Sequence, residues 1–156
     1  MTVVGLTLLL AGLVAQAENI PKTPVKIKVV AVQALNEGHG RKQIDPRLKG
    51  VKKAIERLDY DTFHQIKSVT KELPYRKEAK IEIDDRYSLC LTPVSKGPQG
   101  RIRVEAKILM TSRREGAKPI EALSKTVLLM APGKHINLGG LHLDEGELII
   151  VLQAQP

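Results

Sequence analysis

Residues 125–153 hold the side chains of this 156-residue sequence that are best placed, by type and spacing, for chemistry. The stretch contains a Gly-Lys pair, two histidines and a Gly-Gly step, all set between apolar runs. Glycines beside a lysine can bind a phosphate, and histidines can bind a metal ion. The same residue types also form the turns of an antiparallel sheet. The residues around each feature decide between these three alternatives.

The Gly-Lys pair lacks the surroundings of a phosphate-binding loop. That loop requires Gly-x-x-x-x-Gly-Lys-Ser/Thr between a strand and a helix. Here Pro132 precedes Gly133-Lys134, and the strand-like run His-Ile-Asn-Leu follows. Proline and then glycine at the two central positions specify a type II turn over residues 131–134. Gly146 allows a second tight turn after Asp144-Glu145, so the sequence predicts turns here and no phosphate site.

The two histidines are a weak metal site. His135 and His142 are seven residues apart, so a regular strand would direct them to opposite faces. A bulge at Gly139-Gly140 would restore a common face, but two histidines are too few for a stable zinc shell. The sequence shows no third ligand at a suitable spacing. We therefore expect no metal and no cofactor, and we predict a β-meander for this stretch.

The acidic pairs Asp84-Asp85 and Asp144-Glu145 are candidates for acid–base catalysis, which needs two carboxylates held across a cleft. Both pairs lie in predicted tight turns, where solvated carboxylates are ordinary. Asp59 and Asp61 lack the spacing of a calcium-binding loop. No Gly-x-Ser-x-Gly or His-Glu-x-x-His motif is present. An active site scattered along the chain stays open, so a small secreted, hydrolase-like enzyme is the alternative function.

Cys90 is the only cysteine, so the chain has no partner for an intramolecular disulfide and must be held together by burial. Its setting, Ser-Leu-Cys-Leu-Thr, is typical of the middle of a strand, where a free cysteine acts as a small buried hydrophobe. The neighbouring sequence offers no histidine or cation that would stabilise a thiolate. We therefore expect a structural role for Cys90.

Basic side chains are the better organised group of candidate functional residues. The sequence carries 25 Lys and Arg against 17 Asp and Glu, a net charge of +8. Most of the candidates lie on a predicted helix outside its apolar stripe, and two lie in a predicted loop. The candidate anion- or partner-binding residues are Arg47, Lys49, Lys52, Lys53, Arg57, Arg113 and Arg114. Arg41-Lys42 precede the helix, and Arg101 and Arg103 share one face of a predicted strand. A solvated helix face is the plain alternative, and the excess of one sign favours an anion-facing surface.

The scarcity of aromatic residues narrows the class of partner. The chain has one Phe, three Tyr and no Trp. Binding of single-stranded nucleic acid or of sugar rings usually relies on several exposed aromatic faces. We therefore expect no nucleic-acid ligand. For an exported protein the remaining anions are lipid head groups, acidic polysaccharide or an acidic envelope protein.

The predicted helix that positions the basic residues begins at Asp45-Pro46, a good N-cap followed by a proline at the first helical position. One apolar stripe then recurs at spacings of three and four, formed by Leu48, Val51, Ile55 and Leu58. Gly50 lies inside this helix and lowers its propensity without breaking it. The stripe should be anchored on a sheet.

The remaining chain predicts strands. Residues 25–34 and 101–110 alternate apolar and basic side chains, and 80–83 and 87–92 form a hairpin around Asp84-Asp85-Arg86. Residues 62–73 fit a helix or a bulged strand, and we favour the strand because only β-rich sequence follows. A loop spans 111–122. The expected fold is α+β, mainly antiparallel β, sandwich-like with roughly seven strands and one amphipathic helix.

The beginning of the chain has the layout of a secretory signal peptide. An apolar run from Val3 to Val14 is too short to span a bilayer and leads into Ala15-Gln16-Ala17. We expect cleavage after Ala17, a tether over 18–24 and a single β-rich domain over 25–156. The mature protein would then be periplasmic or secreted.

Three segments in residues 89–141 suggest a relative: Leu-Thr-Pro, then GRIRVEAKI, then SKTVLLMAPGKHINLGGL. Their order resembles the tail of the secretin core, the ring-forming outer-membrane channel of Gram-negative secretion and pilus systems. The resemblance implies the Gram-negative envelope. The chain is far shorter than a secretin, so pore formation is not implied. The expected function is an exported, non-catalytic binding or assembly module of the bacterial envelope with a basic, anion-facing surface.

Overall fold

A computed structural model describes residues 20–156 of the chain. The predicted signal peptide over 1–17, its cleavage site and residues 18 and 19 of the predicted tether lie outside the described residues. The described part contains nine strands: β1 Val25–Leu35, β2 Gln43–Ile44, β3 Thr62–Leu73, β4 Ala79–Glu82, β5 Tyr87–Lys96, β6 Ile102–Met110, β7 Ile120–Met130, β8 His135–His142 and β9 Glu147–Gln155. Its helical elements are the 3₁₀ helices Pro46–Val51 and Pro98–Gly100 and the short α-helix α1, Lys52–Ile55.

The strands form two sheets. Sheet A has the order β2-β3-β1-β9-β8, and sheet B has the order β4-β5-β6-β7. Every pairing is antiparallel except that of the two-residue strand β2 with β3. The expected α+β, mainly antiparallel fold is confirmed. In the described residues no helix has the length and hydropathy needed to cross a membrane.

The larger hydrophobic core lies between the two sheets. Alternate residues of each strand point inwards, as the period of two in a β-strand requires. Sheet A contributes Ile27, Val29, Ala31, Leu148, Ile150 and Leu152, and sheet B contributes Leu89, Leu91, Val104, Ala106, Ile108 and Met130. The two sheets therefore pack face to face as a sandwich.

A second apolar cluster covers the other face of sheet A. The 3₁₀ helix Pro46–Val51 and α1 together form what we call the helical segment, residues 46–55. Its buried residues Leu48, Val51 and Ile55 pack against the outer face of sheet A, on Val30, Val32, Ala34, Phe63, Ile149 and Val151. Strands β1 and β9 are thus buried on both faces, which explains their nearly continuous apolar runs.

The predicted helix is shorter than its apolar stripe indicates. Asp45 is the N-cap, as predicted, because its carboxylate accepts a hydrogen bond from the backbone N–H of Arg47 at 2.9 Å. The chain then forms a 3₁₀ helix, and Val51, with φ −119° and ψ 6°, separates it from the four-residue helix α1. Gly50 disfavours a regular helix. Leu48, Val51 and Ile55 of the stripe are nevertheless buried and Leu58 is partly buried, because packing on sheet A fixes which residues face inwards.

Residues 62–73 form the strand β3, as favoured, with a register shift opposite Ala31 and Val32 that marks a bulge. The hairpin of β4 and β5 is also confirmed. Its turn is held by the Asp84 carboxylate, which accepts the backbone N–H groups of Arg86 at 2.9 Å and Tyr87 at 2.7 Å.

The predicted β-meander over residues 125–153 is wrong in its topology. The turn at 131–134 forms as predicted: the Lys134 N–H donates to the Ala131 carbonyl at 3.1 Å, and Gly133 has φ +72°. However, β7 lies in sheet B, whereas β8 and β9 lie in sheet A. The turn therefore carries the chain from one sheet to the other. Apolar alternation specifies which face of a strand is buried, but not which sheet the strand joins.

Candidate anion-binding groove

An open groove of about 700 Å³ lies beside the helical segment. The side chains that line it come from the helical segment and from the chain just before and after it. They are Lys42, Ile44, Asp45, Pro46, Lys49, Lys52, Glu56 and Arg57. Four of them are basic and two are carboxylates, so the groove is predominantly positive.

The buried stripe of the helical segment positions the basic residues. Leu48, Val51 and Ile55 are anchored on sheet A. Lys49 and Lys52, which lie between them in sequence, are therefore directed outwards and are exposed. Because the apolar face is buried on sheet A, the side chains of Lys49 and Lys52 point towards the groove.

Lys42 is held in place within the lining. Its ammonium group donates hydrogen bonds to the backbone carbonyls of Leu58 and, at 2.8 Å, of Tyr60. The same group lies 5.5 Å from the centre of the Phe63 ring, in the range of a cation–π contact. Lys42 lies just before the helical segment, and these contacts join it to residues 58–60, which follow the segment.

Asp45 and Arg47 form a fixed ion pair. The Arg47 guanidinium donates to the Asp45 carboxylate through Nε at 3.1 Å and through Nη2 at 2.6 Å. The backbone N–H of Gln65 on β3 adds a hydrogen bond at 3.1 Å. These donors, led by Arg47, hold the pKa of Asp45 well below its usual range. Arg47 lies outside the lining of the groove, and it balances the carboxylate that joins the helical segment to β3.

The remaining predicted residues of this region differ in position. Lys49, Lys52 and Arg57 line the groove, are exposed, and contact no acidic partner among the described residues. Lys53 is exposed on α1 but does not line the groove. The sequence located the three lining residues through the helix pattern, while Lys42 was noted only as a residue preceding the helix.

Arg113 and Arg114 belong to a different site. They lie in the loop between β6 and β7 and line a second groove, of about 650 Å³, with Asp85, Arg86, Met110, Thr111, Ser112, Ile120 and Asp144. Two guanidinium groups converge there on the Asp144 carboxylate, Arg86 at 2.5 Å and Arg113 at 3.5 Å. The hydrogen bond from the Arg86 guanidinium is the main reason that the pKa of Asp144 is lowered. The structure therefore divides the seven predicted residues between separate surfaces.

Asp61 organises the loop that follows β1. Its carboxylate accepts three successive backbone N–H groups, from Glu37 at 2.9 Å, Gly38 at 2.7 Å and His39 at 3.1 Å. These donors, with the Thr62 hydroxyl, lower the pKa of Asp61 to about 2. The sequence singled out Asp61 but gave no signal for this partnership, which joins segments more than twenty residues apart.

Tyr60 and Glu147 form a further polar contact at the same end of sheet A. The Tyr60 hydroxyl donates to the Glu147 carboxylate at 2.5 Å. This hydrogen bond, followed by burial, raises the pKa of Tyr60 to about 12. The Tyr60 hydroxyl therefore stays protonated at neutral pH and fastens the start of β3 to the start of β9.

The histidines of β8 are separated along the strand. A bulge is present at Gly139-Gly140, with a register shift between Leu138 and Leu141 and φ +84° at Gly140. His135 lies opposite Gln153 and His142 opposite Glu147, so about six residues, or roughly 20 Å, separate them along β9. Among the described residues no group of three His, Cys, Asp or Glu side chains is placed to hold a metal ion.

Comparison with protein-family models, with curated proteins and with solved structures finds no match to this chain. Lys49, Lys52 and Arg57 contact no acidic partner among the described residues, and they share this concave surface with Glu56 and with Asp45, whose charge Arg47 balances. Such a surface can bind an anion through charge-assisted hydrogen bonds.

Proposed function

We propose that the protein is an exported, non-catalytic binding module of the bacterial envelope, and that an anion binds in the groove beside the helical segment. One observation carries the proposal: Lys49, Lys52 and Arg57 line a single concave surface and contact no acidic partner among the described residues. Cations without partners attract anions, and a concave surface concentrates their field. Lipid head groups, acidic polysaccharide and acidic proteins are the anions that an envelope offers.

The carboxylates of the groove favour binding over hydrolysis. Catalysis by two carboxylates needs one that can carry a proton near neutral pH. The Arg47 guanidinium beside Asp45 keeps the pKa of that carboxyl far below neutral. Glu56 is then the only other carboxylate in the lining. Asp45 is engaged by Arg47 and by the Gln65 backbone N–H, so the lining offers one carboxylate where such catalysis needs two, and this favours a binding site over the hydrolase-like alternative.

Export is supported by the layout of residues 3–17 and by the resemblance of residues 89–141 to the secretin tail. Ala15 and Ala17 match the small residues that signal peptidase requires. The mature protein should begin at Glu18. Mass spectrometry of the protein recovered from the periplasm or medium checks this, and an intact Met1 would remove the argument for export.

A charge-reversal experiment tests the groove. Lys49, Lys52 and Arg57 are changed together to Glu, and Lys77, Lys118 and Lys134, three exposed lysines outside the groove, are changed to Glu as the control. Both triple variants lose the same net charge and should fold normally, because exposed charges contribute little to stability. Binding is measured to vesicles containing phosphatidylglycerol and to polygalacturonate, at low and high salt.

We expect the groove variant to bind at least about tenfold more weakly than the wild type at low salt, a change of about 1.4 kcal/mol. The control variant should lose much less, and wild-type binding should fall as salt rises. The two anionic probes distinguish a lipid surface from a polysaccharide. Equal losses in both triple variants would mean that net charge attracts the anion, and the groove would no longer be the site.

A further inference from the structure

The free edges of the two sheets differ in how they are protected against pairing with another strand. Exposed edges are usually shortened, bulged or marked with charges. Strands β2 and β4 have two and four residues, and β8 is interrupted at Gly139-Gly140. Beyond its pairing with β2, the edge of β3 carries Lys67 and Lys71, and Lys67 donates to the Glu82 carbonyl at 2.6 Å. These four edges are therefore blunted.

Strand β7 is the exception, and only in its second half. It has eleven residues at the free edge of sheet B. Its first half contains Glu121 and Lys125 and is irregular, with register shifts opposite Ile108. Residues 126–130 pair regularly with β6 through five consecutive positions and contain no charge. Among the described residues no strand pairs with the outer edge of this half, so another strand can add there.

The same half exposes apolar side chains on its outer face. Val127 is 49% exposed and Leu129 is 60% exposed. Their neighbours Leu128 and Met130 are buried in the core between the sheets, so the strand is firmly seated. We call residues 126–130 the docking edge.

Two charged residues of β6 lie beside the docking edge, and only one of them has a partner of opposite charge among the described residues. On β6, Glu105 lies opposite Val127 and is already paired with Lys125 at 2.9 Å. Arg103 lies opposite Leu129, is exposed, and contacts no acidic partner among the described residues. The uncompensated charge next to the apolar pair is therefore positive. With a net charge of +8, a second copy of the chain is repelled and an acidic partner is attracted.

We propose that the docking edge accepts an extended segment of an acidic protein, which adds to sheet B as a fifth strand. Backbone hydrogen bonds along residues 126–130 would hold the segment. Its apolar side chains would cover Val127 and Leu129, and its carboxylate would reach Arg103. An added strand lies about 10 Å from β6, which is within the combined reach of Arg and Glu side chains. This surface is separate from the groove, and either proposal can fail without the other.

The test uses the acetylated and amidated peptide Glu-Thr-Val-Thr-Val-Thr-Glu as the probe. Its Val and Glu side chains share one face, and its sequence reads the same in both directions. A second peptide replaces Glu with Lys, and a third carries N-methyl groups on alternate amides. The protein variants are Leu129→Glu and, as the matched control, Ile120→Glu. Ile120 is 53% exposed in the irregular half of the same strand.

We expect the Glu peptide to bind the wild type and Ile120→Glu alike, and to protect backbone amides of residues 126–130 from hydrogen exchange. Leu129→Glu, the Lys peptide and the N-methylated peptide should each weaken binding at least tenfold. Circular dichroism checks that Leu129→Glu is folded. Undiminished binding by Leu129→Glu, equal binding of the Glu and Lys peptides, or no binding of the Glu peptide at millimolar concentration would overturn the proposal. Self-association of the wild type that Leu129→Glu abolishes would also overturn it, because the edge would then pair with a second copy.

Discussion

Asp45 and Asp61 both accept hydrogen bonds from backbone N–H groups, but the donors lie at different distances along the sequence. Asp45 caps the helical segment within its own stretch of sequence, and the Asp-Pro pattern predicts that role. Asp61 accepts N–H groups from residues 37–39, which come close only because β1 and β3 pair. The first contact is local and can be inferred from sequence. The second depends on strand register, so sequence alone does not reveal it.

Asp61 should make stability depend on acid pH. Its pKa is about 2 in the folded protein and near 3.8 when free. Because the folded pKa is the lower one, the carboxylate stabilises the fold above about pH 4, and this contribution disappears as the pH falls through 2. Urea unfolding should show Asp61→Asn to be less stable than the wild type at pH 7, with the difference closing near pH 2. Asp59→Asn, whose carboxylate contacts no described backbone N–H, is the control, and a pH-independent difference for Asp61→Asn would contradict the prediction.

Cys90 is buried, but not between the sheets. Leu89 and Leu91 face the core, so Cys90 faces the outer side of sheet B, between Lys80 and Lys107 of the neighbouring strands. Burial raises the pKa of its thiol. Cys90 should therefore react slowly with a thiol reagent in the native protein and rapidly after denaturation. Native labelling as fast as that of the denatured protein would mean that the thiol is open to solvent on this face.

At the scale of elements, substituting two turn glycines that have the same backbone conformation should reduce stability by different amounts. Gly133 and Gly146 both have φ near +70°. A Cβ on Gly133 would meet nothing within 4 Å, whereas one on Gly146 would lie 2.2 Å from the Ala34 carbonyl oxygen. Gly133→Ala should cost only the left-handed backbone penalty, about 1–2 kcal/mol. Gly146→Ala should lower the free energy of unfolding by at least about 1 kcal/mol more, because the turn must also move away from β1. Equal losses in urea unfolding would show that the close approach relaxes freely.

The alternation of apolar residues predicted most strands, but it did not predict which sheet β7 and β8 join, nor the short strand β2. Val29 and Val30 on β1 face opposite apolar clusters, and their continuous run marks a strand covered on both sides. The pattern does not say that β7 and β8 belong to different sheets, since the turn at Pro132-Gly133 suits a hairpin equally well. The parallel strand β2 has two residues, too few for any period.

At the scale of the molecule, the sequence found the basic residues of the candidate site but not their grouping. The apolar stripe placed Lys49, Lys52 and Arg57 on the outer side of one element, and the structure gathers them around one groove. The loop that carries Arg113 lies beside another groove, because folding brings the end of β6 close to the turn between β8 and β9 that carries Asp144. Charge counts are additive along a sequence, whereas a binding surface depends on these long-range contacts.

The two apolar clusters share sheet A, so the described domain should unfold as one unit. Strand β1 contributes Ile27 to the core between the sheets and Val32 to the cluster under the helical segment, and loss of either cluster exposes the other. Ile150→Ala removes packing from the first cluster and Ile55→Ala from the second, and each should cost about 2–5 kcal/mol. For the wild type and both variants, urea unfolding followed by far-UV circular dichroism and by Cys90 labelling should give coincident midpoints, as a two-state transition requires. If Ile55→Ala lost ellipticity before Cys90 became reactive, the helical segment would unfold separately from sheet B. The groove would then rest on a surface that opens independently of the sandwich.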